Sequence, residues 1–368
     1  MINSNYQGIR LCGIATAVPS KWQSLEDLVA HEQPQGFNLK KFEKTTGVRG
    51  RYLACPSQTT ADFCFVAAKK LLRYYETSMK DIGALVFVSQ CSDYTTPATA
   101  CVLQHRLWQE EFASNGFNTD VSEIGHDCLA FDVNLGCSGY VYGLNIVAGL
   151  LANSNIKKAL LLCGDTYAKA YSHKGDNRTS HSSRYLFGDA GTATLLEKTH
   201  SGERLSFASC TDGSGFASII EPYNHWRHPD KERQSMMDDI TVFNFSTAEA
   251  PAMLKAYMEQ QGTSPADYDA LLLHQANLFI MKQIAKRIGF PSEKIGISID
   301  TFGNTSSASI PATLVKMFGE DNSTYAKKFL ACGYGVGLSW AACELQLAPA
   351  QILPLIKTDE CFDDGFED

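Results

Sequence analysis

A chain of 368 residues with 44% apolar and 20% charged side chains is long enough for two ordinary domains or one large duplicated one, and apolar enough to bury a sizeable core. Its formal net charge of −8 argues against nucleic acid as the main partner, because phosphate binding needs a basic face. No apolar run approaches the roughly 18 residues of a membrane span, and the polar stretch 1–10 lacks the apolar core of a signal peptide, so neither a membrane nor a secreted protein is expected. The twelve cysteines include no C-x-x-C pair. Most sit among apolar neighbours, as in Leu161-Leu162-Cys163 and Ala341-Ala342-Cys343, where a free thiol packs as a small hydrophobe. A reduced, cytoplasmic chain is the expectation.

Along the chain, Leu129-Ala-Phe-Asp-Val133 reads as a strand, and Val141, Leu144, Val147, Ala148 and Leu151 recur at helical spacing over 138–151. Ala159-Leu-Leu-Leu-Cys163 is the next strand, ended by Gly164-Asp165. This is a β-α-β unit with Cys137 at its strand-to-helix turn. Its helix is apolar nearly all round and is expected inside the protein. In the last third, Ala270-Leu-Leu-Leu273 is a strand that delivers His274, and a helix over 276–288 stops at Gly289-Phe-Pro291. A strand over 295–299 leads to Gly303-Asn304, then a helix over 307–318, a strand over 329–332, the turn Gly333-Tyr-Gly-Val-Gly337 and a final strand through Leu347. Three polar or glycine-rich turns thus follow three strand ends, where open α/β sheets place their sites.

The layout suggests two similar α/β halves around a shared core, 1–195 and 196–350, with the divide near 195–215. An acidic tail, 351–368, follows; its last ten residues hold six acids and are expected to be solvated. Stretches near 105–127, 170–184 and 221–240 read as excursions.

Cys137 stands at the amino end of a helix, where N–H groups and the helix dipole favour an anion, a setting that lowers a thiol's pKa. On spacing alone it is either a nucleophile or a core residue. His274 is either functional or a structural support, and Asn304 either functional or a turn or cap residue. His225 and His228 have no acidic or cysteine partner at metal-ligand spacing, so a surface loop and no metal are expected. Phe187-Gly-Asp189-Ala-Gly191 lacks the phosphate-loop pattern and is read as tight backbone packing near a subunit interface.

Taken together, four segments form an ordered set: Asp132-Val-Asn-Leu-Gly-Cys137-Ser-Gly139, His274-Gln-Ala-Asn277, Gly303-Asn304-Thr-Ser-Ser-Ala-Ser309-Ile-Pro311 and Gly335-Val-Gly-Leu-Ser-Trp340. The set closely resembles the β-ketoacyl-acyl carrier protein synthase III family of the thiolase superfamily. The likeness runs from about Gly8 to Leu347 and includes Thr46-Gly-Val-Arg49. It implies an α/β, thiolase-like fold of two duplicated βαβαβαββ halves in a five-layered α-β-α-β-α arrangement, usually a homodimer. It implies that Cys137 is acylated by a primer, and that His274 and Asn304 bind a malonyl thioester on acyl carrier protein and stabilise the enolate formed as carbon dioxide leaves. The oxyanion hole would be the backbone N–H groups of Cys137 and Val336. No cofactor would be bound; coenzyme A or acyl carrier protein thioesters would be the substrates. Carrier protein would dock near Lys286 and Arg287, residues that otherwise read as an ordinary solvated face.

The departures from the family bear on the substrate. Many members read Trp-Ile-x-x-Arg where this chain has Lys41-Phe-Glu-Lys-Thr45, and an arginine where it has Phe279. Both changes remove groups that grip coenzyme A, so a primer carried on acyl carrier protein, or an acyl-CoA held differently, is expected. Thr96, in Tyr94-Thr-Thr-Pro97, replaces an aromatic residue of the primer pocket, and a smaller side chain there would reshape the acyl cavity. Four other readings compete: a same-fold acyltransferase to an oxygen or nitrogen nucleophile, a hydroxymethylglutaryl-CoA synthase-like enzyme, a non-catalytic partner subunit, and a cysteine hydrolase. The joint presence of Cys137, His274 and Asn304 favours condensation.

Overall fold

The helix expected over 138–151 spans Gly139–Ala152 and carries no charged residue, so it has no face to offer water. In the computed structural model, which describes residues 1–114, 127–170, 181–223, 225–232 and 234–366, it lies between two sheets. The six-stranded sheet runs in the order Ile356–Thr358, Ile9–Pro19, Ala190–Lys198, Lys158–Asp165, Ile82–Val88, Leu129–Val133. The five-stranded sheet runs Ile2–Gln7, Arg204–Thr211, Ser339–Leu347, Lys327–Gly335, Ala270–Leu273. Side chains of Gly139–Ala152 and Ser309–Phe318 fill the space between the sheets. Thr60–Tyr74 and Thr99–Ser114 cover the outer face of the first sheet, and Asp239–Gln261 and Leu278–Ile288 that of the second. This is the expected α-β-α-β-α layering of a thiolase fold.

The segment 295–299, read as a strand, is not one. Only Ile295 bridges to Leu271, and Ile299–Phe302 is a short helix. The side-chain oxygen of Gln275 accepts the N–H groups of Ser298 (2.9 Å) and Ile299 (3.2 Å), donors a sheet would otherwise have used. The helix expected from residue 276 begins at Leu278, where Asn277 caps it by accepting the Ile280 N–H at 2.7 Å. The helix expected from residue 307 is a short 3₁₀ turn, Ser306–Ala308, followed by Ser309–Phe318.

The chain ends cross between the sheets. Ile2–Gln7 pairs with Arg204–Thr211 in the second sheet, while Ile356–Thr358 pairs in parallel with Ala17–Pro19 in the first. A cut at 195/196 therefore falls inside the strand Ala190–Lys198. Residues 359–366 are mostly exposed, as their charge suggested, but they are anchored to the first sheet's outer helices rather than free. Gln58 donates to the Thr358 and Glu360 carbonyls at 3.1 and 3.2 Å, Lys69 pairs with Glu360, and the Phe362 N–H donates to Asp62. The reason is a nearly buried ion pair, Arg106–Asp62 (2.9 Å), whose guanidinium is held between the rings of Phe65 and Phe362 at 4.3 and 4.5 Å. Of the three excursions, residues 115–126, 171–180, 224 and 233 lie outside the described residues. At Gly188 the expected tight packing is present: a Cβ there would fall 1.8 Å from the Phe302 carbonyl oxygen.

Candidate active site

Leu129–Val133 ends on Asn134-Leu-Gly136, and this turn places Cys137 at the start of the buried helix. The turn is pinned from the other half of the chain: Ser138 and Ser339 share a 2.6 Å hydroxyl hydrogen bond, and Ser339 donates to the Val336 carbonyl at 2.6 Å. Backbone closes directly on the thiol. A Cβ on Gly335 would fall 2.8 Å from Cys137 Sγ, so only glycine lets the following N–H, that of Val336, reach the sulfur.

Burial pushes the Cys137 thiol up to about 11. The N–H groups of Val336 and Cys137 and the Ser306 hydroxyl act in the opposite direction, while the Asp165 charge adds to the rise. This corrects the expectation of a lowered pKa. The helix amino end is present, but removing the thiolate from water works against it and favours the protonated thiol.

His274 leaves the strand Ala270–Leu273 with its N–H on the Cys332 carbonyl at 2.9 Å and its own carbonyl accepting from Tyr334 Oη at 3.1 Å. The ring is buried, which lowers its pKa to about 3 and keeps it neutral. Ser309 Oγ lies 2.8 Å from Nδ1; when the serine donates there, the ring proton resides on Nε2. Asn304 is held at both ends of its backbone, by Leu186 and Gly188, and its Oδ1 accepts the Ser306 N–H at 2.9 Å. That leaves its side-chain NH₂ as a donor.

Cys137, His274 and Asn304 line one cavity of about 720 Å³. Lys41, Asn277 and Phe279 also line it, with Phe279 stacked on Phe243 at 5.8 Å. The aromatic pair stands where the family's cation was missing, while Lys41 returns one positive charge to the wall. A second cavity, of about 740 Å³, also ends on Cys137 and on Val336 but takes in neither His274 nor Asn304. Tyr94 and Thr95 line it; Thr96 lines neither cavity. Lys286 is exposed, whereas the Arg287 guanidinium donates to the Thr247 carbonyl of the neighbouring helix. His225 is exposed at the rim of the second cavity, His228 lies edge-on to Tyr223, and no group of metal-binding side chains occurs among the described residues.

Sequence reasoning assigned no role to Ser309, Gln275 or Asp165. Ser309 and Gln275 fall inside the quoted segments, but nothing in their spacing reveals that one orients the histidine and the other caps a neighbouring turn. Asp165, at a strand end, is fully buried and accepts from Ser89, Gln90 and Ser307, with burial raising its pKa.

Residues 131–213 match 3-oxoacyl-(acyl-carrier-protein) synthase III, and residues 258–347 match its C-terminal domain. The chain is 30% identical over 333 residues to β-ketoacyl-(acyl-carrier-protein) synthase III of Clostridium perfringens, covering 88% of this chain and 96% of that one. It superposes on the crystal structure of a 3-oxoacyl-(acyl-carrier protein) synthase from Burkholderia xenovorans LB400 with a TM-score of 0.86 and 33% identity, covering 97% of this chain and 99% of the other. The synthase III of Pseudomonas aeruginosa PAO1 gives 0.77 and 25%, covering 95% and 100%. Fold and matches together define a condensing enzyme of the thiolase superfamily. The chain belongs to the β-ketoacyl-acyl carrier protein synthase III family.

Proposed function

We propose that Cys137 accepts an acyl primer by thioester exchange: the donor's C–S bond breaks, an acyl–Sγ bond forms, and the thiol proton leaves with the donor's thiol. A malonyl group on acyl carrier protein then enters the cavity that holds His274 and Asn304. Their Nε2–H and Nδ2–H donate to its thioester carbonyl. As carbon dioxide departs, the enolate oxygen gains charge against two neutral donors that need no reorganisation. The enolate carbon attacks the acyl carbonyl, whose oxygen is held by the N–H groups of Cys137 and Val336, and Cys137 leaves as the β-ketoacyl thioester forms.

One observation carries this reading: a histidine held neutral by burial, with Ser309 on its inner nitrogen, opens onto the same cavity as the cysteine. A neutral imidazole can donate its N–H to an enolate, and because burial holds its pKa down at about 3 it binds a proton too weakly to serve as a general base, which favours decarboxylative condensation over hydrolysis. The test is intact mass after incubation with acyl-CoA and acyl-carrier donors, with Cys137→Ala as control, followed by malonyl-carrier. An adduct lost in the variant and consumed by malonyl-carrier is expected; an adduct that malonyl-carrier does not consume refutes condensation.

Acyl carrier protein is the natural partner of Lys286 and Arg287, on a helix whose first turn lines the cavity. Arg287 is partly committed to Thr247, so Lys286 carries the test: Lys286→Glu should raise KM for carrier substrates and leave coenzyme A thioesters unaffected. A homodimer is supported by the strand Leu129–Val133, which pairs on one side only and forms the edge of its sheet. Twelve free cysteines support a cytoplasmic setting.

A further inference from the structure

Given the acyl-Cys137 reading above, the primer's acyl chain must lie away from the malonyl group, which occupies the cavity of His274 and Asn304. The second cavity ending on Cys137 is the space left for it. Its walls are mixed: Phe187, Ile219, Met237 and Val336 give it an apolar side, and most of the rest is polar. Carboxylates of Asp93, Asp132 and Glu221 line it, together with the amides of Gln90 and Asn134 and the phenol of Tyr167. Among the described residues it has no lysine or arginine in its lining. By contrast, the malonyl-side cavity is walled by Phe42, Val242, Phe243 and Phe279.

Each chemical class of acyl group meets this wall differently. A plain alkyl chain would strip water from carboxylates and amides and return no hydrogen bond, which is costly for every polar group covered. An acyl group ending in a carboxylate would face Asp93 and Asp132, with no lysine or arginine beside them among the described residues of the lining. A hydroxyl both donates and accepts, so it satisfies a carboxylate and an amide alike. The acceptors are also fixed in advance: Asp132 is locked by the N–H groups of Thr99 and Ala100 at 2.7 and 2.8 Å, leaving its remaining lone pairs in place. Asn134 is exposed at the turn before the nucleophile, three residues from Cys137.

We propose that the primer is a short hydroxylated acyl group, whose hydroxyls bond to Asp132 and Asn134 while its carbonyl is attached to Cys137. The loading step is the thioester exchange already written and needs no further reactant.

The experiment measures the rate of Cys137 adduct formation by intact mass with butyryl, 3-hydroxybutyryl, 4-hydroxybutyryl and succinyl groups, each on coenzyme A and on carrier protein. A hydroxybutyryl group should load about tenfold faster than butyryl, the worth of one good hydrogen bond that the alkyl chain leaves unmade. Succinyl should be slowest. Asn134→Leu should bring the hydroxybutyryl and butyryl rates together. Butyryl loading as fast as either hydroxybutyryl, or succinyl loading fastest, overturns the proposal while leaving the acyl-Cys137 chemistry standing. No adduct from any donor, with Cys137 still alkylated by iodoacetamide, overturns that chemistry and the proposal with it.

Discussion

Gly335→Ala tests how closely the backbone is fitted to the nucleophile. The added methyl would sit 2.8 Å from Cys137 Sγ and 2.5 Å from its Cβ. Non-bonded heavy atoms need roughly 3.5–4.0 Å, so the thiol and the 335–336 backbone must separate by about 1 Å. That is the scale of misplacement that costs on the order of 10²-fold in rate. The cost to the fold is smaller, about 1–3 kcal/mol for one extra methyl in a packed site. The expected outcome is a folded protein whose thermal midpoint drops by a few degrees, but whose adduct formation at Cys137 is slowed about a hundredfold. Stopped-flow or quenched intact-mass kinetics reads the rate, and calorimetry reads the midpoint. Acylation at the wild-type rate would refute the inference that Gly335 is required for the thiol to sit against the Val336 N–H. Slowing that merely tracks loss of folded protein would refute it equally.

Three further outcomes follow from named contacts. With the Cys137 thiol at about 11, the thiolate fraction climbs about tenfold per pH unit below that value, so the iodoacetamide rate should keep rising from pH 7 to 10; a plateau beginning below pH 9 would show that the helix end outweighs burial. Asn304→Ala should slow malonyl-carrier decarboxylation about 10²–10³-fold, the usual cost of one lost donor, while Cys137 acylation is spared; equal loss in both steps would mean that Asn304 mainly holds its turn. Phe362→Ala removes one of the two rings enclosing Arg106 and should cost about 1 kcal/mol in urea denaturation; unchanged stability would show the 359–366 segment to be unimportant to the fold.

What the sequence made legible was set by periodicity. Gly139–Ala152 and the strands on either side of it alternate or repeat too regularly to be mistaken, and the cysteine and histidine follow strands of this kind, whereas the asparagine follows the short helix Ile299–Phe302. The residues 295–299 failed because alternating Ile-Gly-Ile-Ser-Ile imitates a strand, and the amide that caps its backbone belongs to Gln275, far away in sequence. The acidic run at 359–366 is exposed as its charge suggests, but that charge concealed Phe362, whose ring ties the segment to a buried arginine. Cys137 failed only in its ionisation. A helix terminus is visible in a sequence, whereas the depth at which tertiary packing buries it is not. The same limit hid the second cavity, whose polar wall is gathered from segments near residues 90, 132, 167 and 221 that share no pattern.

The crossing of the chain ends between the sheets has a consequence for synthesis. Ile9–Pro19 emerges from the ribosome long before its neighbour Ile356–Thr358, and before Gln351, which bonds back to Leu11 across 340 residues. Ile2–Gln7 likewise waits for Arg204–Thr211. Neither sheet can complete itself from a contiguous stretch of nascent chain, so the half bearing the cysteine holds an unfinished sheet edge until residues 356–358 are made. The nucleophile is therefore assembled only once the loop carrying Val336 arrives from the other half, and a product truncated before that loop presents a cysteine with no site built around it.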